Sequence, residues 1–513
     1  MNLLEEPWMP VRHHDGSRHW VAPPQLSDPR ISGFDACRPD LNGALAQLAI
    51  GLLQSCNDAR DAYDWRERLQ MPPSAQELAA WFAPVREAFE FEGDGARFMQ
   101  DLELREGEPT PIAALLIDTP GENAIRNNSD HFVKRGRLQA ACPHCAALAL
   151  FTLQLNAPAG EWLQQGVEPG LDALRCRFPW LAPLSAQQVE GGQTTPLQTH
   201  PDQVFWAMPR RIRLGTASEP AGPCDLCGRH SLRLIRHYLA RNYGLNYKGA
   251  WRHPLSPYYE AKDGWLPLHP QPDGLGYRHW AAWVLGVALD KRRIEPARVV
   301  HGAWQRLGRQ LRQPLRLWAF GLDMDNMKAR CWYDSTVPLH HLADASPRRH
   351  EELRAEVGAW LAGAEQTARY LHGAVREACF GHEARGDLSH VDAAFWAATE
   401  PAFYRQLQQA LVAAGEEAAE DAERQARHAR AEVWLHVLCE AARHLFDDEI
   451  VGTARIDRQN PARVAAAHRR FSSQLEGSAL RQLLGLPTPQ ANASKATKAN
   501  AKRSAKAAAP TPE

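Results

Sequence analysis

Two Cys-x-x-Cys motifs constrain the fold of this chain more than any other feature of its sequence. The first contains Cys142 and Cys145, the second contains Cys224 and Cys227, and 78 residues lie between them. Each turn can direct two thiolates at one tetrahedral ion, so two turns fill all four positions and leave none for water. The pattern predicts a structural zinc ion that joins two distant segments, and it makes His144 unnecessary as a ligand. Four unligated buried thiols and a redox pair are the alternatives, the second disfavoured because no βαβ unit surrounds the motifs.

The composition is that of a globular protein. Its 513 residues are 44% hydrophobic and 23% charged, with a formal net charge of −1. This length accommodates about two to four domains at roughly 100 to 200 residues each. No run approaches the ~20 apolar residues that cross a bilayer, and the first residues lack a basic segment followed by an apolar one. We therefore expect a cytoplasmic protein with no membrane partner.

The first part of the chain, residues 1–343, is punctuated by Pro, Gly and Trp, which favours short strands and loops. One helix stands out there, because Leu41, Leu45 and Leu48 share a face, and Asp40 or Asn42 offers an N-cap. The sequence predicts a mixed α/β domain over this range.

From Ser346 onwards proline almost disappears and the apolar residues follow a helical period. A helix is predicted to begin at Pro347, and further helices are predicted over about 391–413, 415–446 and 460–484. Four long amphipathic helices with short joins are typical of an antiparallel bundle, here over 344–486. The predicted fold class is α+β, an irregular mixed domain followed by a four-helix bundle.

Two segments carry an excess of positive charge. Residues 487–513 contain five basic groups and one carboxylate, and we expect a disordered tail that either solubilises the chain or binds polyanions. Residues 291–316 hold eight Lys or Arg against one Glu, including Arg292 and Arg293. Such a bias favours contact with DNA phosphates, with a protein interface as the alternative.

The sequence contains no recognisable catalytic motif. It has no Walker-type phosphate loop, no H-E-x-x-H, no G-x-S-x-G and no G-x-G-x-x-G after a strand. The histidine pairs His13-His14 and His340-His341 lack carboxylates at helical spacing and are interpreted as ordinary surface or core residues. We therefore expect a binding protein and not an enzyme.

Three further segments favour nucleic-acid binding. In the loop 127–137, Lys134, Arg135 and Arg137 can grip phosphates while Phe132 stacks on an unpaired base, although a plain solvent loop explains the composition equally well. Residues 208–214 alternate basic and apolar positions, which would put two arginines on one strand face. Residues 320–330 have turn-forming Asp and Asn at their centre, as a hairpin tip would.

Several multi-residue strings, found in order from residue 1 to about 485, resemble one known family. They are Met1-Asn2-Leu3-Leu4, Trp8-Met9-Pro10-Val11, Phe98-Met99-Gln100, Asp130-His131-Phe132-Val133-Lys134-Arg135, Phe205-Trp206-Ala207-Met208-Pro209-Arg210-Arg211, Trp251-Arg252-His253-Pro254 and Asp323-Met324-Asp325-Asn326-Met327-Lys328. On these strings the chain resembles the CasA-type large subunit of the type I-E CRISPR surveillance complex, Cascade.

This resemblance implies a non-catalytic subunit at the 5′ end of the guide RNA. It further implies that the subunit reads the protospacer-adjacent motif (PAM) in target double-stranded DNA, starts strand separation and helps recruit an effector helicase-nuclease. Other Cascade subunits, the CRISPR guide RNA, the target duplex and the effector nuclease are the implied partners, and zinc is the implied cofactor.

Site residues follow from the resemblance by position. Lys262 resembles a lysine that enters the minor groove at the PAM, and the tip 325–328 resembles the wedge that holds the duplex open, with Phe132 as the aromatic of the guide loop. The loop residues implied to contact guide RNA or neighbouring subunits are Asn127, Asn128, His131, Phe132, Lys134 and Arg135. The residues assigned to DNA are Lys262, Asp325, Asn326, Met327, Lys328, Arg292 and Arg293.

One departure from the family concerns residues 156–180. Relatives carry a glycine-rich loop with PAM contacts after the helix that follows the first Cys-x-x-Cys, whereas this chain has a shorter stretch that includes Glu161. We expect relaxed PAM reading and an effector that is a variant or is recruited differently. The alternatives to the DNA-binding function are an architectural subunit that only anchors the guide handle, and a zinc hydrolase, disfavoured because four thiolates leave no open coordination position.

Overall fold

The structure of the chain, a computed structural model, describes most residues up to Thr488. The described residues are 1–93, 97–101, 104, 106–121, 125–128, 136–156, 193–194, 201–208, 210–215, 221–241, 246–247, 252–262, 264–268, 270, 276–287, 293–307, 315–325, 328–339, 346–380, 387–414, 419–451 and 460–488. They form an α+β fold with several small sheets and a helical C-terminal region. The predicted fold class is confirmed at that level.

Alternating apolar residues near the N-terminus form the first sheet. The central strand β1 (Met9–His13) pairs antiparallel with β2 (Arg18–Val21) and with β3 (Ile31–Phe34). Met9 and Val11 are fully buried, since every second side chain of β1 points to the core.

Three helices follow this sheet, α1 (Pro39–Cys56), α2 (Ala62–Gln70) and α3 (Ala75–Phe82). The helix predicted around Leu41 is confirmed as α1, but the predicted N-cap is wrong. Pro39 occupies the first helical position, and the N-cap is Arg38, whose side chain caps nothing. Asp40 instead lies inside the first turn, where Arg38 donates two hydrogen bonds to its carboxylate.

As far as the structure describes it, the next part of the chain consists of strands, most of them short, and three helices. In order they are β4 (Thr110–Pro111), α4 (Pro143–Asn156), β5 (Gln193–Thr194), β6 (Arg211–Leu214), β7 (Gly222–Pro223), β8 (His230–Ser231), β9 (His237–Arg241), β10 (Asn246–Tyr247), β11 (Tyr258–Ala261), β12 (Gly264–Pro267), α5 (Tyr277–Trp280), β13 (Ile294–Glu295), α6 (Arg298–Leu307), β14 (Leu315–Asp325) and β15 (Lys328–Leu339). The sheets have the strand orders β4-β9-β6, β12-β11-β13, β7-β8, β10-β5 and β14-β15. Sheets this small agree with the predicted irregular texture.

Helix α4 lies in the centre of the N-terminal core. Ten of its residues are buried, because it is apolar around most of its circumference. The Phe151 ring lies 5.8 Å from Phe98 and 6.3 Å from Trp206, whose indole N–H donates to Ser55 Oγ over 2.9 Å. The core therefore fixes the position of the segment that begins at the first Cys-x-x-Cys.

The chain divides into two compact units. One comprises Met1–Pro272 and Ile294–Pro338, and the other comprises Asp273–Arg293 and the residues from Leu339 onwards. The sequence predicts domains 1–343 and 344–486, and the units differ from these mainly because 273–293 groups with the helices. The cause is aromatic packing between residues distant in sequence. The Tyr277 ring stacks on Phe403 at 4.4 Å, a contact that no local pattern reveals.

Four long helices dominate the second unit, followed by a short one. They are α7 (Pro347–Phe380), α8 (Ser389–Ala414), α9 (Glu420–His444), α10 (Pro461–Leu475) and α11 (Ser478–Leu483). The predicted start at Pro347 is confirmed, and the second and third helices lie within five residues of their predicted bounds. The last predicted helix is interrupted at Glu476–Gly477. Trp360, Phe403 and Trp434 lie buried among these helices, with ring centroids 6.0–6.5 Å apart.

A membrane span has no candidate among the described helices, none of which is both long and apolar enough to cross a bilayer.

Candidate metal centre and nucleic-acid interface

Two turns of the first unit bring the four predicted cysteines together. Cys142 precedes α4 and Cys145 lies in its first turn, whereas Cys224 and Cys227 belong to the turn that joins β7 to β8. Their four Sγ atoms all lie within 4.8 Å of one another. Within the part of the chain that the structure describes, no other cluster of His, Cys, Asp and Glu side chains has metal-site geometry.

The spacing of the sulfurs fits a tetrahedral ion and not a pair of disulfides. Cys142 Sγ and Cys227 Sγ lie 3.9 Å apart. Two sulfurs on one zinc ion lie about 3.8 Å apart, given Zn–S bonds of about 2.3 Å, and a disulfide bond is about 2.0 Å long. The Cys142 N–H donates to Cys224 Sγ over 3.2 Å, and the Cys145 N–H donates to Cys142 Sγ over 3.5 Å. Because such donors stabilise thiolates, these residues fit a four-thiolate metal centre.

The electrostatics of the cluster favour loss of thiol protons from the second motif. Hydrogen bonds from Cys142 and then Cys145 lower the pKa of the Cys227 thiol to about 7. The same two partners lower the pKa of Cys224 far below its ordinary value. Since the thiolate is the metal-binding form of cysteine, Cys224 and Cys227 are the two thiols that these hydrogen bonds prepare to bind a cation.

The histidine between the first two thiols points elsewhere. His144 Nε2 lies 3.4 Å from Glu6 Oε2, and burial lowers the pKa of the imidazole. The prediction that His144 is not needed as a ligand agrees with this geometry.

The second Cys-x-x-Cys turn, called the metal knuckle below, also contacts the end of the loop 127–137 that is assigned to guide RNA. Asp225 Oδ2 accepts hydrogen bonds from the backbone N–H groups of Gln139, over 2.7 Å, and Ala140, over 2.8 Å. The Asp225 N–H in turn donates to the Ala140 carbonyl over 3.0 Å. At the other end of the loop, Asn127 and Asn128 are exposed, and Asn128 has a φ of 54°, a conformation that asparagine tolerates. His131, Phe132, Lys134 and Arg135 lie outside the described residues.

Lys262 lies at the tip of a tight β-hairpin. Ala261 pairs with Gly264 across β11 and β12, so the connection has two residues, and Gly264 has a φ of +127°. Arg252 stacks on the Trp265 ring at 4.6 Å and forms an ion pair with Glu295 of β13, the third strand of this sheet. These contacts brace the strands of the hairpin, which presents Lys262 at its end.

The segment predicted to be a hairpin tip joins two long paired strands. Strands β14 and β15 form a two-stranded sheet, and only two residues separate Asp325 from Lys328. Asp323 is buried and receives two hydrogen bonds from Arg330, of 2.8 and 3.0 Å, close to that end of the hairpin. The predicted hairpin is confirmed, whereas Asn326 and Met327 lie outside the described residues, as do the side chains of Asp325 and Lys328.

Three arginines of the basic segment 291–316 are exposed among its described residues. Arg293, Arg298 and Arg316 are all exposed, whereas Ile294 is buried in the sheet with β11. Arg292 lies outside the described residues. Exposed guanidinium groups are compatible with both predicted partners, DNA phosphates and protein.

Comparison with known proteins identifies the family. A family model described as CRISPR-associated protein Cse1 matches residues 2–445, which is most of the chain. The chain belongs to the Cse1 family. The resemblance that the sequence strings carry is thereby confirmed at the level of the family.

Solved Cse1 structures have the same fold. CasA of Thermus thermophilus is 20% identical, with a TM-score of 0.63 over 94% of this chain and 99% of that chain. Cse1 of Thermobifida fusca is 14% identical, with a TM-score of 0.63 over 95% and 99% of the two chains. A chain of a CRISPR RNA-guided surveillance complex is 15% identical, with a TM-score of 0.59 over 93% and 99%.

One predicted nucleic-acid surface of this Cse1-family chain is wrong. Strand β6 exists, but Arg211 is buried and forms an ion pair with the equally buried Asp101, and Arg213 is half-buried. Because a buried charge requires a partner, Arg211 serves the core of the first unit and not a ligand. The alternation of residues 208–214 identified the strand but not the side chain that Arg211 meets.

Two positions that matter for the candidate sites escaped the sequence analysis. Asp225 lies between the thiols of the second motif, and its contacts with the distant Gln139 and Ala140 leave no signal in the local sequence. Gly43 lies inside helix α1, and the one signal that the sequence offers is glycine in a helix interior, which often has a packing reason.

Proposed function

We propose that this Cse1-family chain is the large subunit of a type I-E CRISPR surveillance complex, and that it binds target duplex DNA at the PAM and starts its opening. Membership of the Cse1 family and likeness to a chain of a CRISPR RNA-guided surveillance complex over 93% of its length support this function. The observation that carries the DNA-binding part is the pair of hairpins with two-residue connections, one ending at Lys262 and one at 326–327.

Lys262 enters the minor groove at the PAM. The minor groove offers a degenerate set of acceptors, so one lysine discriminates only loosely between base pairs. Loose discrimination suffices, because pairing with the guide reads the rest of the target. Basic residues of 291–316, including Arg292 and Arg293, neutralise phosphates of the entering duplex, each adding roughly −0.9 to the slope of log affinity against log salt.

The tip of the long hairpin is the wedge. Opening a step costs about a few kcal/mol of stacking, which an inserted side chain offsets by packing on the exposed base pair. Asn326 and Met327 are the residues of the connection, and Asp325 and Lys328 flank them. The ion pair between Asp323 and Arg330 stiffens the two strands just behind the tip, so that these strands need not be ordered on binding.

The loop 127–137 grips the guide-RNA handle and neighbouring subunits. Phe132 stacks on an unpaired base, while Lys134 and Arg135 meet phosphates. Asn127, Asn128 and His131 supply hydrogen bonds in the same loop. Asp225 fixes the end of this loop to the metal knuckle through its two backbone contacts.

Replacing Asp225 tests this link between knuckle and guide. Asp225→Ala removes the acceptor of two backbone N–H groups, and hydrogen bonds to a charged group contribute about 1.5–3 kcal/mol each. We expect the affinity for the guide-loaded complex to fall about tenfold in a binding titration, with the metal content of the chain unchanged. Asp225→Asn keeps an acceptor oxygen and is expected to retain most of the affinity. Equal affinities for the native chain and Asp225→Ala would contradict the link.

Zinc is the metal that four thiolates select, and it serves as a structural ion, since a closed coordination sphere leaves no position for water. When bound, the ion supplies a cross-link between α4 and the β7–β8 turn. The chain thus acts by binding and not by catalysis, with a four-helix bundle over 344–486 and a tail over 487–513 completing the subunit. Recruitment of an effector nuclease and relaxed PAM reading, the latter from the short stretch 156–180, complete the proposal.

The tip of the long hairpin provides the decisive experiment. The double variant Asn326→Ala, Met327→Ala is expected to slow duplex opening at least tenfold in the complex reconstituted with guide, as followed by a fluorescent base next to the PAM. Assembly and binding to a duplex that is already unpaired at that step are expected to stay within twofold of the native values. Thr336→Ala, an exposed position on the same hairpin, is the matched control.

The architectural alternative predicts a different result. If the chain only anchors the guide handle, both the tip variant and Thr336→Ala open the duplex at the native rate. That outcome would overturn the DNA-binding part of the proposed function.

A further inference from the structure

Helix α1 approaches the long hairpin at one residue, Gly43. A Cβ atom on Gly43 would lie 2.7 Å from Phe320 Cε2 and 3.0 Å from Trp332 Cη2. Phe320 belongs to β14 and Trp332 to β15, so one helix position meets both strands of the hairpin. Real Cβ atoms essentially never come within 3.0 Å of a neighbour, so only glycine fits here without displacing a ring.

The two rings form one aromatic surface on the hairpin. Phe320 and Trp332 stack with centroids 5.5 Å apart and planes inclined by 22°, and Trp318 adds a third ring 4.6 Å from Phe320. Gly321 lies against Pro270, where a Cβ would be 3.1 Å from the proline ring. Close contacts with α1 and Pro270 therefore seat the hairpin, and among the described strands β14 and β15 pair only with each other.

Glycine at position 43 lowers the stability of helix α1, and the contacts of this position explain why glycine is nevertheless present. Gly43 lies in the second turn of an 18-residue helix, where glycine is less favourable than alanine because it restricts the backbone less in the unfolded chain. The same helix contains Gly51, which admits Phe205 and Trp206 of the core, with a Cβ 3.1 Å from Phe205. Each glycine of α1 thus marks a close approach, one to the core and one to the hairpin.

The seat of the long hairpin, by which we mean the contact of Phe320 and Trp332 with Gly43, determines where the tip of that hairpin lies. Phe320 precedes Asp325 by five residues, which spans about 17 Å along a strand. A tilt of about 10° at the seat would displace the tip by about 3 Å, close to the 3.4 Å spacing of stacked base pairs. A displacement of that size is enough to move a wedge from one base-pair step towards the next.

We propose that Gly43 is a positioning residue for duplex opening: it seats Phe320 and Trp332 on α1 and so sets where the hairpin tip meets the DNA. The proposal rests on the proposed function of the tip as a wedge. It assigns no DNA contact to Gly43 itself, which acts only through the hairpin.

The test is Gly43→Ala in the full chain, assembled with guide and partner subunits. The methyl group displaces the rings, and we expect duplex opening to slow about tenfold, with assembly and affinity for a pre-opened duplex within twofold of native. Gly51→Ala introduces the same methyl group on the same helix against the core, and is expected to leave the opening rate within twofold. The double variant Gly43→Ala, Phe320→Leu removes the atoms that the methyl group meets, and is expected to restore opening to within threefold of native.

The outcomes separate this proposal from the one on which it rests. If the tip variant Asn326→Ala, Met327→Ala slows opening but Gly43→Ala does not, the seat is not a positioning device and this inference fails alone. If the tip variant opens duplexes at the native rate, the proposed wedge function fails. If Gly43→Ala slows opening and Phe320→Leu does not restore it, a general loss of structure explains the effect and the inference is overturned. Should Gly43→Ala not fold, Phe320→Leu alone must slow opening at least threefold with assembly intact, or the inference is equally overturned.

Discussion

Replacement of Cys224 and Cys227 by serine is expected to release the metal and to lower the thermal midpoint of the first unit by about 10 °C, since each kcal/mol shifts a domain of this size by about 2–4 °C. The cause is the loss of a cross-link between segments 78 residues apart. Structural zinc contributes about 10–16 kcal/mol of apparent folding free energy in zinc-finger peptides. We expect a smaller loss here, because the core that buries ten residues of α4 supplies apolar contacts that do not depend on the ion.

Metal analysis and calorimetry on the same samples measure both effects. The matched control is Cys331→Ser, which changes an exposed thiol remote in sequence from the motifs and should keep the full metal content and the native midpoint. Chelation of the native chain should reproduce the midpoint of the double variant. A double variant that melts at the native temperature would show that the four thiols are ordinary core residues, the alternative that the sequence left open.

The metal centre could be predicted from sequence because its signal is local. Each Cys-x-x-Cys fixes two sulfurs through its own turn, and the pair needs only the fold to bring them within 4.8 Å. The role of Asp225 could not be predicted in the same way. Its hydrogen-bond partners Gln139 and Ala140 precede it by 85 residues or more, and backbone N–H groups leave no trace in a side-chain pattern.

The difference between local signals and contacts over long sequence distances also explains which predictions for the arginines and the hairpins are correct. Alternation identified β6, but Asp101, which neutralises Arg211, lies 110 residues earlier in the chain. Turn-forming Asp and Asn at the centre of 320–330 identified the long hairpin, because its connection is only two residues long. The seat of that hairpin joins Gly43 to Phe320 and Trp332, which lie more than 270 positions later in the chain, and no periodicity of either segment reveals this contact. Local geometry was thus predictable, and the partners of side chains were not.

The grouping of 273–293 with the helices has a similar cause. The Tyr277 hydroxyl lies 2.9 Å from Thr399 Oγ1, and its ring is fully buried against Phe403. A boundary drawn from composition follows the density of proline and glycine, and this segment resembles its neighbours in that respect. Only long-range aromatic packing distinguishes it.

Loss of the lysine at the tip of the shorter hairpin is expected to have the largest effect on DNA. Lys262→Ala should lower the affinity of the assembled complex for its best duplex about tenfold, since one good base-edge contact contributes about 1–3 kcal/mol. The mechanism further predicts which duplexes are affected. If Lys262 contacts base edges in the minor groove, poor PAM sequences lose less affinity than good ones, and the preference between them narrows.

A library of duplexes that differ only at the PAM measures this preference, with Arg293→Ala as the informative comparison. A phosphate contact carries no sequence information, so Arg293→Ala should weaken all duplexes alike and reduce the salt slope by about 0.9. Arg424→Ala removes an equal charge from an exposed position on α9 and should change neither quantity. Assembly with the guide-loaded complex should be native for all three variants.

The way in which the loss of affinity varies across the PAM library, more than its size, shows whether Lys262 reads bases or only contacts phosphates. A uniform loss for Lys262→Ala across the library would make Lys262 one more phosphate contact and remove PAM reading from this residue. No loss at all would leave the chain as an anchor for the guide handle. Narrowed preference with intact assembly is the result that only a base-reading lysine produces, because the two-residue turn at Ala261–Gly264 presents a single long side chain that can enter a groove too narrow for a helix or a strand pair.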